Sequence, residues 1–157
     1  MRRTLTLALL LLFALACSTT TVSTGPKSDA STTDFDVSVQ QDDAPLTMPG
    51  NTSTDLKFLI TVKNRTAEPW TIEHIGLQSM GGGAYSLPVR TREFNRVVAP
   101  GAEEQFEFWG TVDLTQDTFL TRSPITLRTT LHAKNAEGKR KEDFMQKING
   151  RVSMTAR

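Results

Sequence analysis

"FLITVKNRTAEPWTIEHIGL", residues 58–77, is a strand, a turn and a second strand with a fault in it. Including the residues just before it, Leu56, Phe58, Ile60 and Val62 fall on one parity, and Lys57, Thr61 and Lys63 fall on the other. That is the period of two expected of a half-buried strand. Asn64 to Pro69, "NRTAEP", carries the residues that turns use. The next run begins with Trp70 and Ile72 on one parity, then continues with Ile75 and Leu77 on the opposite one. A parity switch inside a strand is what one extra residue produces, so the sequence predicts a β-bulge near Glu73–His74.

The same period spreads outward in both directions. "DFDVSVQ" alternates through Phe35, Val37 and Val39, and "EEQFEFWGTV" places Phe106, Phe108 and Val112 together. "SPITLRTTLHAK" turns Ile125, Leu127, Leu131 and Ala133 inward, and "KRKEDFMQKINGRVSM" keeps Phe144, Ile148, Val152 and Met154 in phase. "YSLPVRTREFNRVV" reads as one or two short strands, and Pro88 marks an edge. "DDAPLTMPGNTST" and "MGGGAY" read as turns, the latter as a mobile hairpin, and "VDLTQDTFLT" as a crossover with at most one helical turn, stapled by Leu114, Phe119 and Leu120. The sum is about seven or eight antiparallel strands in one all-β domain. The strand ending V-x-N, the polar turn with its proline and the apolar start of the next strand resemble the B–C region of immunoglobulin-like domains. Such domains occur in bacterial surface lipoproteins and in the late-embryogenesis-abundant-14 type. The resemblance spans about residues 55–110 and implies a single immunoglobulin-like β-sandwich, without the cysteine pair of antibody domains.

The amino terminus has a different character. Arg2 and Arg3 precede the apolar run Leu5–Ala16, which is 12 residues long. As a helix that run reaches about 18 Å, short of a ~30 Å hydrocarbon core. The pattern is that of a secretory signal over residues 1–16. It ends in "FALAC", and Cys17 is the only cysteine of the chain. "FALAC" resembles the lipobox of bacterial lipoproteins. The resemblance implies cleavage before Cys17 and acylation of its thiol by diacylglycerol. Ser18, where an aspartate would retain such proteins at the inner membrane, implies an outer-membrane address facing the periplasm. Residues 18–33 contain ten Ser or Thr among sixteen positions. Such a segment buries too little to order itself, so residues 17–33 read as a lipidated cysteine with a flexible tether, and 34–157 as the domain.

Composition narrows the function. Without Arg2 and Arg3 the chain keeps 16 Lys+Arg against 17 Asp+Glu, which gives no basic footprint for nucleic acid. His74 and His132 are the only histidines and lie far apart in sequence, so the spacing of a zinc site is missing and no metal or other cofactor is expected. No nucleophile motif occurs either. The expectation is a non-enzymatic, membrane-anchored interaction or assembly module, with binding of a lipid or glycan between the sandwich loops as the alternative. Two features mark a candidate surface. Arg90, Arg92 and Arg96 share a parity, which reads either as a charge-protected edge or as a face for an envelope protein or anionic ligand. Trp109 has the parity opposite to Phe106 and Phe108, so it points away from the main core, either covered by a loop or the tether or exposed as an anchor. If Cys17 carries the anchor, Cys17→Ser leaves the membrane pellet for the soluble fraction after a high-salt wash. Retention in the pellet would assign anchoring to another part of the chain.

Overall fold

Asn64 ends the first strand of the quoted stretch and ties the crossover down. Its side chain is fully buried. Its Nδ2 donates to the carbonyls of Glu68 at 2.7 Å and Val98 at 3.1 Å. Its Oδ1 accepts from the Thr66 amide at 2.9 Å and the Thr66 hydroxyl at 2.8 Å. One amide thus fixes the turn to itself and to the distant residue Val98. Each of those groups left unpartnered in the interior would cost about 1–3 kcal/mol. The Trp70 indole then donates to Thr66 Oγ1 at 3.1 Å, which sets the entry of the following strand.

The computed structural model describes residues 33–42, 46–47, 51–115 and 123–154. The leader, Cys17, tether residues 17–32 and crossover residues 116–122, with Phe119 and Leu120, lie outside them. In chain order the strands are β1 (Phe35–Gln41), β2 (Leu46–Thr47), β3 (Ser53–Asn64), β4 (Trp70–Met80) and β5 (Tyr85–Ser86). They continue with β6 (Arg90–Val98), β7 (Glu103–Leu114), β8 (Pro124–Lys134), β9 (Lys139–Asn149) and β10 (Ser153–Met154). Two four-stranded antiparallel sheets form, ordered β1-β3-β7-β5 and β6-β4-β8-β9. The chain changes sheet at the Asn64 turn, and β7 returns beside β3 while β8 returns beside β4. That is the Greek-key sandwich of the immunoglobulin-like class. Leu56, Phe58, Ile60 and Val62 of β3 and Phe106 and Phe108 of β7 are fully buried, and so are Ile72, Ile75 and Leu77 of β4.

Three local readings change. The segment taken wholly as turn contains β2, which pairs in parallel with β10. The last run is also interrupted: β9 stops at Asn149, because Gly150 passes close to Ala84 and Tyr85, where a Cβ would stand 3.0 Å from the Ala84 Cβ. Nor is the "GGG" stretch simply a hairpin. Gly81, at φ +85°, and Gly82 are exposed, but a Cβ at Gly83 would collide with Ile125, so the end of the stretch is packed. It delivers Tyr85, which is among the largest fully buried side chains and donates its hydroxyl to Gln41 Oε1 at 3.0 Å. Burial pushes the Tyr85 phenol well above its ordinary range.

Charge sits inside one flank as well. Glu142 lies opposite Leu131 on the core-facing side of β9. Burial, and then the neighbouring Asp34, push its carboxyl above the usual range, while Asp34 itself pairs with Arg140. A raised carboxyl favours the protonated folded state, so its ionised form disfavours folding once the pH exceeds its unfolded value. Glu142→Gln is therefore expected to raise the melting temperature at pH 7. The gain should shrink to nothing as the pH falls below about 4, where the carboxyl is protonated in both states. A pH series of thermal melts of both forms measures this. A gain that persists at pH 3 would mean that packing, not charge, is responsible.

Candidate functional site

β6 is the outer strand of its sheet, and β7 is nearly so in the other. Among the described residues β5 pairs with β7 only through Tyr85–Leu114 and Ser86–Asp113, so Glu103–Val112 has no strand on that side. Two long strand edges therefore border the same flank of the sandwich. The backbone of β7 shows which residues address it. Arg96 Nη1 donates to the Gln105 carbonyl at 3.0 Å, so the Gln105 backbone faces the open side. In an antiparallel strand alternate residues turn their N–H and C=O the same way, so Glu107 and Trp109 also present theirs outward.

The arginine row lies on the outer strand β6, and the register shows which face it leaves from. Arg90 lies opposite Leu77, Arg92 opposite Ile75 and Arg96 opposite Ile72. Directly opposed residues share a sheet face, so all three arise from the core-facing side of an edge strand. They cannot enter the core, so they bend across its open flank. The Arg92 guanidinium lies 5.8 Å from the Phe108 ring centre, and that of Arg96 lies 5.1 Å from Phe106. Arg96 also pairs with Glu104. Beneath them Phe94 meets Phe106 edge-on at 5.0 Å. Arg92 and Arg96 thus act as a lid over two buried rings, and inward-pointing charge of this kind also discourages sheet-to-sheet pairing. Arg90, at the far end, makes no ion pair among the described residues.

Trp109 is 46% exposed. It follows Phe108, the ring under Arg92, and projects from the opposite sheet face, with Lys57 Nζ 6.0 Å from its ring centre. Among the described residues no loop covers it, and the tether lies outside them. Arg90, Arg92, Arg96 and Trp109 therefore border one edge; Arg96 is committed to Glu104 and the Gln105 carbonyl, whereas neither Arg90 nor Arg92 makes an ion pair among the described residues. Val89, just before β6, and Val97 on it, 66% and 61% exposed, extend the apolar surface there. No local pattern signals the open β7 edge, because it depends on how short β5 is.

The opposite flank, between β1 and β9, is already closed. Gln146 accepts from the Val39 amide at 2.7 Å and donates to the Val39 carbonyl at 3.1 Å, so its amide stands in for one step of a ladder. Gln41 donates to the Arg151 carbonyl at 2.6 Å and accepts from the Arg151 amide at 3.0 Å. The groove above these amides holds about 430 Å³, and of the polar side chains that line it Gln41 and Gln146 are engaged with backbone.

No protein-family model matches the chain, and no curated protein does. Solved structures resemble it in fold. The structural-genomics target SoR45 superposes with a TM-score of 0.51 at 10% identity, covering 75% of this chain and 86% of that one. A protein from Archaeoglobus fulgidus gives a TM-score of 0.47 at 11% identity, with 72% and 92% covered. The sporulation control protein Spo0M of Bacillus subtilis gives 0.43 at 16%, with 77% of this chain and 50% of that one covered.

The division of labour along the row is testable by thermal melts. Arg96→Gln loses a ring contact, a backbone hydrogen bond and an ion pair, and is expected to cost about 1–2 kcal/mol. Arg90→Gln is expected to stay within about 0.5 kcal/mol of the parent. Equal losses at both positions would contradict the lid.

Proposed function

We propose that this chain is a lipid-anchored protein of the bacterial cell envelope. Cys17 holds it at the outer membrane facing the periplasm, and its sandwich is a non-catalytic interaction or assembly module that meets an envelope protein along the β6–β7 edge. The observation that carries the reading is the unpaired run of β7 with Trp109 exposed on it. Outward N–H and C=O groups at Glu107 and Trp109 suit addition of an extended partner segment, which supplies affinity through main-chain hydrogen bonds. A half-exposed tryptophan beside them supplies an anchor of the kind that concentrates binding energy. Arg90, free of ion pairs among the described residues, favours an acidic group on the partner. Salt then weakens the contact.

The test is site-specific photo-crosslinking in intact envelopes from full-length chain. A benzophenone amino acid replaces Trp109 in one form and Met145 in another; Met145 is 57% exposed and lies on β9, away from this edge. The expected result is a discrete protein adduct from position 109 and not from 145, weakened by Arg90→Gln. Adducts of equal yield from both positions, or only from 145, would remove the β6–β7 edge from consideration.

A further inference from the structure

The two histidines, distant in sequence, meet in the fold. His74 on β4 stands directly opposite His132 on β8, and their rings lie edge-on with centres 6.0 Å apart. The bulge makes the meeting possible. Ile72 pairs with Ala133 and His74 with His132, so Glu73 is an extra residue relative to β8. In a regular strand with Glu73 paired, His74 would share the inward parity of Ile72. β6 carries a further extra residue at the same level, for Phe94 and Asn95 together face Glu73, and Asn95 takes φ +51°. This second offset sets Glu93 opposite His74 on the outer face. One row across three strands thus reads Glu93, His74, His132.

We infer that the His74–His132 pair is an open surface site for a borderline divalent transition metal, of the Cu²⁺, Ni²⁺ or Zn²⁺ kind. Imidazole nitrogens suit these ions, whereas hard ions prefer oxygen. Two imidazoles on one ion at about 2.0–2.1 Å put their ring centres about 5–6 Å apart, depending on the angle at the metal. The observed 6.0 Å is at the wide end of that range, so the two rings swing closer when an ion binds. Glu93 Oε1 lies 3.9 Å from His74 Nδ1, which leaves Nε2 as the ligating atom. A carboxylate behind the distal nitrogen orients a histidine ligand and raises its basicity.

Among the described residues no group of three or more His, Cys, Asp or Glu is arranged around one ion, so water completes the coordination. There is room for it. Next to the pair, Gly76 leaves a concavity of about 190 Å³ bordered by Thr91, Thr130 and His132. The nearby cations are Lys141, opposite His132, and Arg128, which faces Asp143 at 3.9 Å. Lys141 opposes a metal ion, so the site is a moderate binder whose strength responds to that one charge.

The test uses the full chain in detergent, with CuCl₂ or ZnCl₂ alone as probe. An ion that binds only the folded protein raises its folding constant by 1 + [L]/Kd, about a hundred-fold at a hundred-fold excess. The expected result is an EDTA-reversible rise in melting temperature that disappears in His74→Asn and in His132→Asn. Lys141→Gln should enlarge it, and Cu²⁺ electron paramagnetic resonance should show two nitrogen ligands. Both asparagine variants lie on an exposed face, and their metal-free melts report whether they fold. No metal-dependent rise in the parent, or one that both folded asparagine variants retain, would overturn the inference.

Discussion

A sandwich of two sheets is open along two flanks, and this one has to close them without a covalent tie between the sheets. Its only cysteine stands at position 17, ahead of the domain. Each flank is closed by long side chains that leave the core-facing side of an outer strand and bend over the gap. On the β1–β9 side, Gln146 binds both backbone groups of Val39, and Arg140 spans from Asp34 to a position 5.4 Å from the Trp70 ring centre. On the β6–β7 side, Arg92 and Arg96 lie over Phe108 and Phe106. The stems bury apolar surface while the polar heads reach water or backbone, which is what these side chains do well.

The two flanks are not equivalent. Gln146 and Gln41 saturate the backbone edge that they cover, so the β1–β9 seam offers little to a partner. Arg96 occupies one carbonyl of β7 and leaves the outward groups of Glu107 and Trp109 uncovered by any strand among the described residues. The same device therefore seals one side and only caps the other. The proposed docking edge is the side where sealing is incomplete.

The bulges link fold and surface chemistry. At one level β8 contributes two residues, β4 three and β6 four. Each added residue increases the local twist and re-aims the side chains beyond it. Ile75 and Leu77 stay in the core, and His74 and Glu93 move to the outer face beside His132. Glu73, the extra residue of β4, is held by Lys134 at 2.7 Å and Lys139 at 3.6 Å. Those contacts lower its carboxyl below the usual range.

Local pattern alone determined much of this protein. Strict alternation in β3, β7 and β8 reveals their buried faces, because a period of two assigns each side chain to a face without reference to any other strand. The parity switch between Ile72 and Ile75 reveals the bulge for the same reason, and Trp109 is legible as outward-facing from its neighbours Phe106 and Phe108. What a residue meets across strands depends on register and strand length, which no local period encodes. The arginine row was legible as a row, but its inward origin follows from pairing with Leu77, Ile75 and Ile72. Asn64 reads as an ordinary turn residue until Val98 arrives from 34 positions away to accept its hydrogen bond. Tyr85 is hidden beside three glycines that show no period, and its burial is set by Gly83 and Gly150 allowing close approach. The histidines read as unrelated, and only the register of β4 against β8 brings them face to face.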